Sequence, residues 1–183
     1  MEAAVSALQG SAARFRAATE SDIPALVVLV TSAYRGESSR QGWTTEADIL
    51  DGNRIVPEVL QADIRGTRSR IVIAEQDARL LGCAHVCDQN GVGYFGMFAV
   101  RPDLQNAGLG RTLLAEAERV AREDWQLPLM RMTVIDLRAE LIAWYVRRGY
   151  RRTGLKKPFP ATDPRFGLPK RSDLCFEVLE KTL

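Results

Sequence analysis

Histidine and cysteine are scarce in this 183-residue sequence: there is one His, His85, and three Cys, at positions 83, 87 and 175. A single histidine leaves a Ser–His–Asp hydrolase little to build on, and with scattered cysteines it offers no metal-ligand spacing, so no metal is expected. An odd cysteine count without a Cys-x-x-Cys pair argues against a disulfide framework and suits a reducing compartment. Cys83 and Cys87 fall on one face of a predicted strand and read as small buried hydrophobes. Long apolar runs are missing too. The longest, residues 25–30, is far short of the roughly 20 residues a spanning helix needs, so no membrane is expected. Residues 1–10 lack a basic stretch and carry Glu2 where a signal peptide has positive charge, which predicts a cytoplasmic protein.

What is present is ordinary globular composition, 46% hydrophobic and 26% charged. It suits one domain over residues 1–183, with 1–12 as a flexible extension. Residues 14–18 read as a strand. Thr19 or Ser21 then caps a helix with Pro24 in its first turn, in which Leu26, Leu29, Val30, Ala33 and Tyr34 recur at helical spacing up to Gly36. Residues 37–42 read as polar loop. The run 44–48, TTEAD, resembles a capping box opening a second, shorter helix stopped by Asp51 and Gly52, and Pro57 starts another turn to about Ile64.

Apolar runs at 71–74, 80–86 and 94–100, separated by polar turns, predict three antiparallel strands. A helix over about 108–122 turns Leu109, Leu113, Ala117, Val120 and Ala121 inward. Pro128 introduces a strand over 129–135, Asp136 caps a helix over 137–148 ending at Gly149, and 150–155 and 174–179 read as two final strands. Helical crossovers on either side of 129–135 predict parallel pairing there, within a mixed, mostly antiparallel α/β sheet covered by helices.

Residues 100–114, VRPDLQNAGLGRTLL, join the third of those strands to the following helix through two glycines. Glycine lets a backbone approach a ligand closely, and the first N–H groups of a helix have no intrahelical partner, so this is a candidate phosphate cradle. A Walker loop needs glycine five positions before Gly-Lys-Ser/Thr, but Gln105 stands five before Gly110. A dinucleotide fingerprint needs a small residue where Leu113 stands. What remains is Gln-x-x-Gly-x-Gly, formed by Gln105, Gly108 and Gly110 after Pro102. A strand-to-helix turn that uses glycine only for its geometry is the other reading.

The pattern resembles the acyl-coenzyme A loop of the GCN5-related N-acetyltransferases (GNAT), in which successive backbone amides wrap a pyrophosphate. The order of elements is similar to that family's from about Arg14 onward. Near the third main helix the family's Asn-x-x-Ala-x-x-x-Tyr-x-x-x-Gly-Phe is matched at Tyr145 and Gly149, with Arg138, Leu141 and Tyr150 at the other positions. The resemblance implies a GNAT fold with a splayed parallel strand pair, acetyl-CoA as cofactor, and acetyl transfer to a primary amine by direct attack in a ternary complex.

It also implies roles for residues. Backbone groups of Phe98, Ala99 and Val100 would pair with the pantetheine arm, while Gln105, Asn106, Ala107, Gly108, Leu109, Gly110 and Arg111 would hold the phosphates. Arg138 stands where the family often has a cofactor-contacting asparagine and would reach a phosphate instead. A backbone N–H near Phe98 would face the thioester carbonyl, and Tyr145 would protonate the departing thiolate. Tyr145 shares a helix face with Leu137, Leu141 and Trp144, so a core aromatic is the alternative.

Family members often place a Glu on the strand before the glycine loop, but residues 93–100 hold no acid. That leaves Glu37, Glu46, Asp48, Asp136, His85 or relayed water as the general base, and a non-catalytic acyl-CoA sensor as the alternative function. The implied acceptor is a small-molecule or peptide amine, with a homodimer left open. Residues 34–54 occupy the place where the family builds acceptor specificity, and are similar to a segment of uncharacterised members that names no substrate. Tyr34, Trp43 and Glu46 are the pocket candidates, Trp43 equally as a packing residue. Residues 146–172 hold nine Lys or Arg against one Asp, a local charge of +8 in a chain of net +2. A solvated face, an anionic acceptor and a contact to cofactor phosphates are all open readings of that charge. Nucleic acid is disfavoured, because Pro158, Pro160, Pro164 and Pro169 interrupt the segment and no binding module is present. The loop is expected to wall the acceptor pocket.

Overall fold

Two pairs of left-handed residues make the tight turns at the centre of the sheet: Asp77 and Ala78 at φ 48° and 59°, and Asn90 and Gly91 at 56° and 85°. Turns with both central residues left-handed match the twist of paired strands. In the computed structural model, which describes residues 13–161, 163 and 167–183, they join β3 (Ser69–Gln76), β4 (Arg79–Gln89) and β5 (Val92–Val100). The expected extension at 1–12 and the positions Pro164 and Arg165 lie outside the described residues. Ahead of this meander come β1 (Arg14–Ala17), α1 (Ile23–Tyr34), α2 (Gly36–Ser39), β2 (Leu50–Asp51) and α3 (Pro57–Arg65). After it come α4 (Leu109–Arg119), β6 (Leu129–Ile135), α5 (Ala139–Val146), β7 (Arg151–Pro158), β8 (Leu168–Pro169) and β9 (Cys175–Thr182).

Seven strands form one mixed sheet in the order β1-β3-β4-β5-β6-β9-β7, and β2 and β8 form a separate antiparallel ribbon. Side-chain alternation divides the core into two layers. Ile71 and Ile73 of β3 pack with Leu26 and Leu60 from α1 and α3, whereas Val72 and Ala74 pack with Leu113 and Ala117 from α4. Leu26, Leu60, Ile73 and Leu113 are fully buried, each worth roughly 1.5–3 kcal/mol of apolar transfer.

The parallel contact of β5 with β6 is short: Gly93 pairs with Met130 and Tyr94 with Arg131, after which the strands part. A Cβ on Gly93 would sit 3.1 Å from the Met130 sulfur, so glycine permits the approach. Further along, β5 carries an extra residue, because Cys83 opposes Ala99 while His85 opposes Gly96. Met97 lies in that bulge at φ 45°, and a bulge re-aims the strand beyond it.

Five expectations need correction. Parallel pairing holds on one side of β6 only, because β9 inserts between β6 and β7 and pairs antiparallel with both. The helix expected from 44–48 is one turn, with Ile49 and Leu50 donating to the Glu46 carbonyl before the chain enters β2; Glu46 turns inward to arginines instead of back to a cap. The loop at 37–42 instead begins with the short α2. Asp136 is held by Lys156 at 2.8 Å and caps nothing, so α5 starts at Ala139 with Arg138 in the N-cap position. The helix over 108–122 changes after Arg119 into a π-helical turn, Val120–Asp124.

Five of the eight described Lys and Arg residues of the basic segment pair with carboxylates outside it. Arg152 pairs with Glu177, Arg151 with Glu180 at 3.1 Å and Lys170 with Asp51 at 3.0 Å. No helix among the described residues is long and apolar enough to cross a membrane.

Candidate active site

From Val100 the chain passes through a 3₁₀ turn, Pro102–Leu104, into the glycine loop and α4. Asn106 and Gly108 adopt φ 70° and 87°, and these left-handed residues curl the backbone so that successive N–H groups converge. None of the five amides from Asn106 to Gly110 donates to another protein group among the described residues. The loop is therefore a preformed nest of free donors at a helix N-terminus, a setting that favours anions. Gln105 does not contribute its side chain to that nest. Its Oε1 accepts from the Trp43 amide at 3.0 Å and its Nε2 donates to the Val100 carbonyl at 3.2 Å, clamping the loop to its neighbours.

Beside the nest lies a groove of about 260 Å³ lined by Gln105, Asn106, Gly108, Gly110, Arg111 and Arg148, with Trp43 and Trp144 on its walls. The Arg148 guanidinium stacks 3.4 Å over the Trp144 ring and donates to that residue's carbonyl at 2.7 Å. Ala99 and Leu109 are buried in the two core layers, and Ala107 is exposed; none of the three side chains lines the groove.

A second cavity, of about 240 Å³, opens on the other side of the parted strands and contains Glu46, Arg54, Asp63, His85 and Tyr94. Five residues line both hollows: Tyr34, Phe98, Arg138, Leu141 and Tyr145. The groove and the cavity thus meet across one wall. In it the Tyr34 hydroxyl donates to the Phe98 carbonyl at 2.7 Å, so that carbonyl is already engaged. Tyr145 stacks with Phe98 and Trp144 at ring separations of 6.4 and 5.1 Å. The hydroxyls of Tyr34, Tyr94 and Tyr150 are hydrogen-bonded, whereas that of Tyr145 has no partner among the described residues. Burial pushes the Tyr145 phenol well above its ordinary range, so it holds its proton.

Of the pocket candidates, Tyr34 and Glu46 line the cavity and Trp43 lines the groove. Glu46 is buried and bonds Arg35 at 2.6 Å and Arg138 at 2.8 Å. Burial pushes its carboxyl up, but Arg138, Arg54 and Arg35 outweigh that and hold it below the usual carboxylate range. Arg138 also donates to Thr44 at 2.8 Å, so its guanidinium is committed to the loop that carries Glu46. Arg54 escaped sequence reasoning, because a lone charge after a Gly turn has no periodicity to mark it; its guanidinium lies 4.7 Å above the Tyr34 ring. In the Pro-rich segment β8 pairs with β2, and no described residue of 159–174 lines either hollow.

The general-base candidates separate by position. Glu37 and Asp48 are exposed, Asp136 is bound by Lys156, and Glu46 is locked between arginines. His85 faces the cavity. The Ser69 hydroxyl has one proton and donates it to the Asp63 carbonyl at 2.6 Å. Its oxygen must then accept from His85 Nε2 at 2.8 Å, which leaves the lone pair of a neutral imidazole on Nδ1, 3.7 Å from the Asp63 carboxylate. Burial pushes His85 below the ordinary histidine range, against the opposing pull of Asp63.

A family model described as Acetyltransferase (GNAT) family matches residues 32–150. The chain belongs to the GNAT acetyltransferases. No curated protein matches the sequence. Among solved structures, this GNAT chain is similar to yncA from Salmonella typhimurium, determined with its cofactor acetyl-CoA, at 17% identity and a TM-score of 0.68, covering 94% of this chain and 95% of that one. It is similar to the ribosomal-protein-alanine N-acetyltransferase of Brucella melitensis at 22% identity and 0.65, covering 93% and 99%. The paiA N-acetyltransferase of Thermoplasma acidophilum in complex with coenzyme A gives 14% and 0.65, covering 94% and 100%. At these identities the likeness is one of fold. The GNAT sheet accounts for the parted β5 and β6, which place the groove and the cavity on either side of one gap.

Proposed function

We propose that this protein transfers an acetyl group from acetyl-CoA to a primary amine, both being bound at once on the two sides of the shared wall. The observation that carries the reading is Tyr145: a buried, protonated phenol without a hydrogen-bond acceptor, in the one wall common to both hollows. The residues fit the donor. Five free amides and the guanidiniums of Arg111 and Arg148 suit a pyrophosphate, and the strand edge left bare beyond Tyr94 suits an extended amide-bearing arm.

Bound acetyl-CoA supplies an acetyl thioester. The chain's own part is to orient two reactants and move two protons. His85 Nδ1, directly or through one water, takes a proton from the incoming ammonium so that its nitrogen can form the new C–N bond. Tyr145 gives its proton to sulfur as the C–S bond breaks, and recovers one from solvent. Glu46 is no base here, since protonating it would unpair buried arginines. A thiol-release assay with acetyl-CoA and a panel of amines tests the reading. Turnover that depends on Tyr145 and His85 supports it, while tight acetyl-CoA binding without turnover on any amine would mark a sensor.

A further inference from the structure

Among the described residues, the arginines withdrawn from solvent mostly pair with carboxylates. Among the described residues that are not exposed, Arg16, Arg35, Arg70, Arg101, Arg119, Arg131 and Arg138 each have a carboxylate oxygen within 3.0 Å. Arg54 and Arg148 are the exceptions, with none within ion-pair distance. The two sit in different hollows: Arg148 in the donor groove, where anionic phosphates account for it, and Arg54 in the acceptor cavity.

A guanidinium withdrawn from water with no carboxylate in contact is costly, and a ligand that brings one recovers part of the cost. Among the described residues the carboxylate that acts on Arg54 is Glu46, whose two oxygens are already taken by Arg35 and Arg138. Asp63, the other carboxylate lining the cavity, lies beside His85. The Arg54 guanidinium carbon lies 4.7 Å from the centre of the Tyr34 ring, and Tyr34 binds the Phe98 carbonyl in the shared wall. An anion held by Arg54 would thus be anchored next to the wall where the amine must react.

Resting on the acetyl-transfer reading, we infer that the acceptor is a small amine that also carries a carboxylate, an amino acid or close analogue, and that Arg54 is its carboxylate anchor. The cavity volume of about 240 Å³ suits a molecule of that size, and a guanidinium fork matches a carboxylate bidentately.

The test compares each standard amino acid with its carboxamide, which keeps the amine and loses the charge, by thiol release from acetyl-CoA. For the best substrate the acid should exceed its amide in kcat/KM by about 10- to 100-fold. In Arg54→Gln that ratio should collapse toward one, chiefly through KM, and Arg54→Lys should restore part of it. Each ratio is internal to one variant, so a general loss of fold cannot mimic the effect. Equal turnover of acids and amides, or efficient acetylation of polyamines or peptide N-termini independent of Arg54, overturns the inference and leaves the acetyl-transfer reading standing. A second arm needs no donor: N-acetylated amino acids should raise the melting temperature of wild type more than their methyl esters do, and the difference should vanish in Arg54→Gln. That result without any acetyl-CoA binding would sink the transfer reading and keep the anchor; no difference in that arm with no amino-acid turnover sinks the anchor.

Discussion

The guanidinium of Arg138 lies 2.8 Å from the carboxylate of Glu46, although 92 positions separate the two in the chain. Arg138 stands in the N-cap position of the helix that carries Tyr145, and Glu46 belongs to the loop beside the second cavity. One ion pair therefore fastens the helix that carries Tyr145 to that loop.

Glu46→Gln should destabilise the protein by about 3–5 kcal/mol, because it removes the carboxylate that buried Arg138 and Arg35 both contact. Chemical denaturation measures this. A loss below about 1 kcal/mol would mean that these arginines find water or other partners.

Acid should undo the same contact. Glu46 titrates below the usual carboxylate range when folded, and Asp22 does so through its hydrogen bond to Arg16. The unfolded chain therefore takes up these two protons more readily than the folded one. Their stabilisation is complete above about pH 4.5 and is lost as pH falls toward the folded values. Denaturation midpoints measured from pH 6 down to about pH 3 should fall less steeply in Glu46→Gln/Asp22→Asn than in wild type.

Tyr145→Phe keeps the ring packing against Phe98 and Trp144 and removes only the hydroxyl. Turnover should drop by about 10²- to 10⁴-fold with little change in the KM for acetyl-CoA or in melting temperature. An unaltered kcat would leave Tyr145 as a core aromatic.

His85 sets the acid limb of the rate profile. Its imidazole must be neutral to accept a proton, and burial places its titration below the ordinary value near 6.5. Activity should thus fall as pH drops through a point below about 6.5. Asp63 favours the imidazolium, so Asp63→Asn should move the limb to still lower pH; Arg54, Arg138, Glu46 and Tyr94 face the same cavity and stay unchanged in that comparison. His85→Gln should abolish the limb and lower kcat. A limb that persists in His85→Gln belongs to another group.

Gly108→Ala meets no neighbour within 4 Å but must hold φ 87°, which costs a side-chain-bearing residue about 1–2 kcal/mol. The loop should relax, and isothermal titration should show weaker acetyl-CoA binding with a smaller effect on kcat.

Local signals carried most of the fold into view. The helical stripe of α1, the I′ turns around β4 and the glycine loop before α4 are set by neighbours a few residues apart, and they are legible in the sequence for that reason. What was not legible depends on distant partners. TTEAD has the composition of a capped helix, but Arg35 and Arg138 draw Glu46 inward and hold the chain to one turn. The position of β9 between β6 and β7 is a choice between strand edges that no local pattern encodes. In the site, the glycine spacing singled out the loop, yet the Gln105 side chain clamps that loop while the free amides form the cradle. Arg54 could be found only by asking which charges lack a partner, a question that needs coordinates.

Gly93 with Met130 and Tyr94 with Arg131 are the pairs that join β5 to β6, so the sheet is two slabs stitched along a short seam. Anything lodged in the open end becomes a structural member, bracing the slabs as a keystone braces an arch. The empty protein should yield at that seam and the loaded one should stiffen, so amide hydrogens of β5 beyond Tyr94 should exchange more slowly once the gap is filled. Mechanical integrity and readiness to react then rise together, because the same two pairs leave open the space that both require.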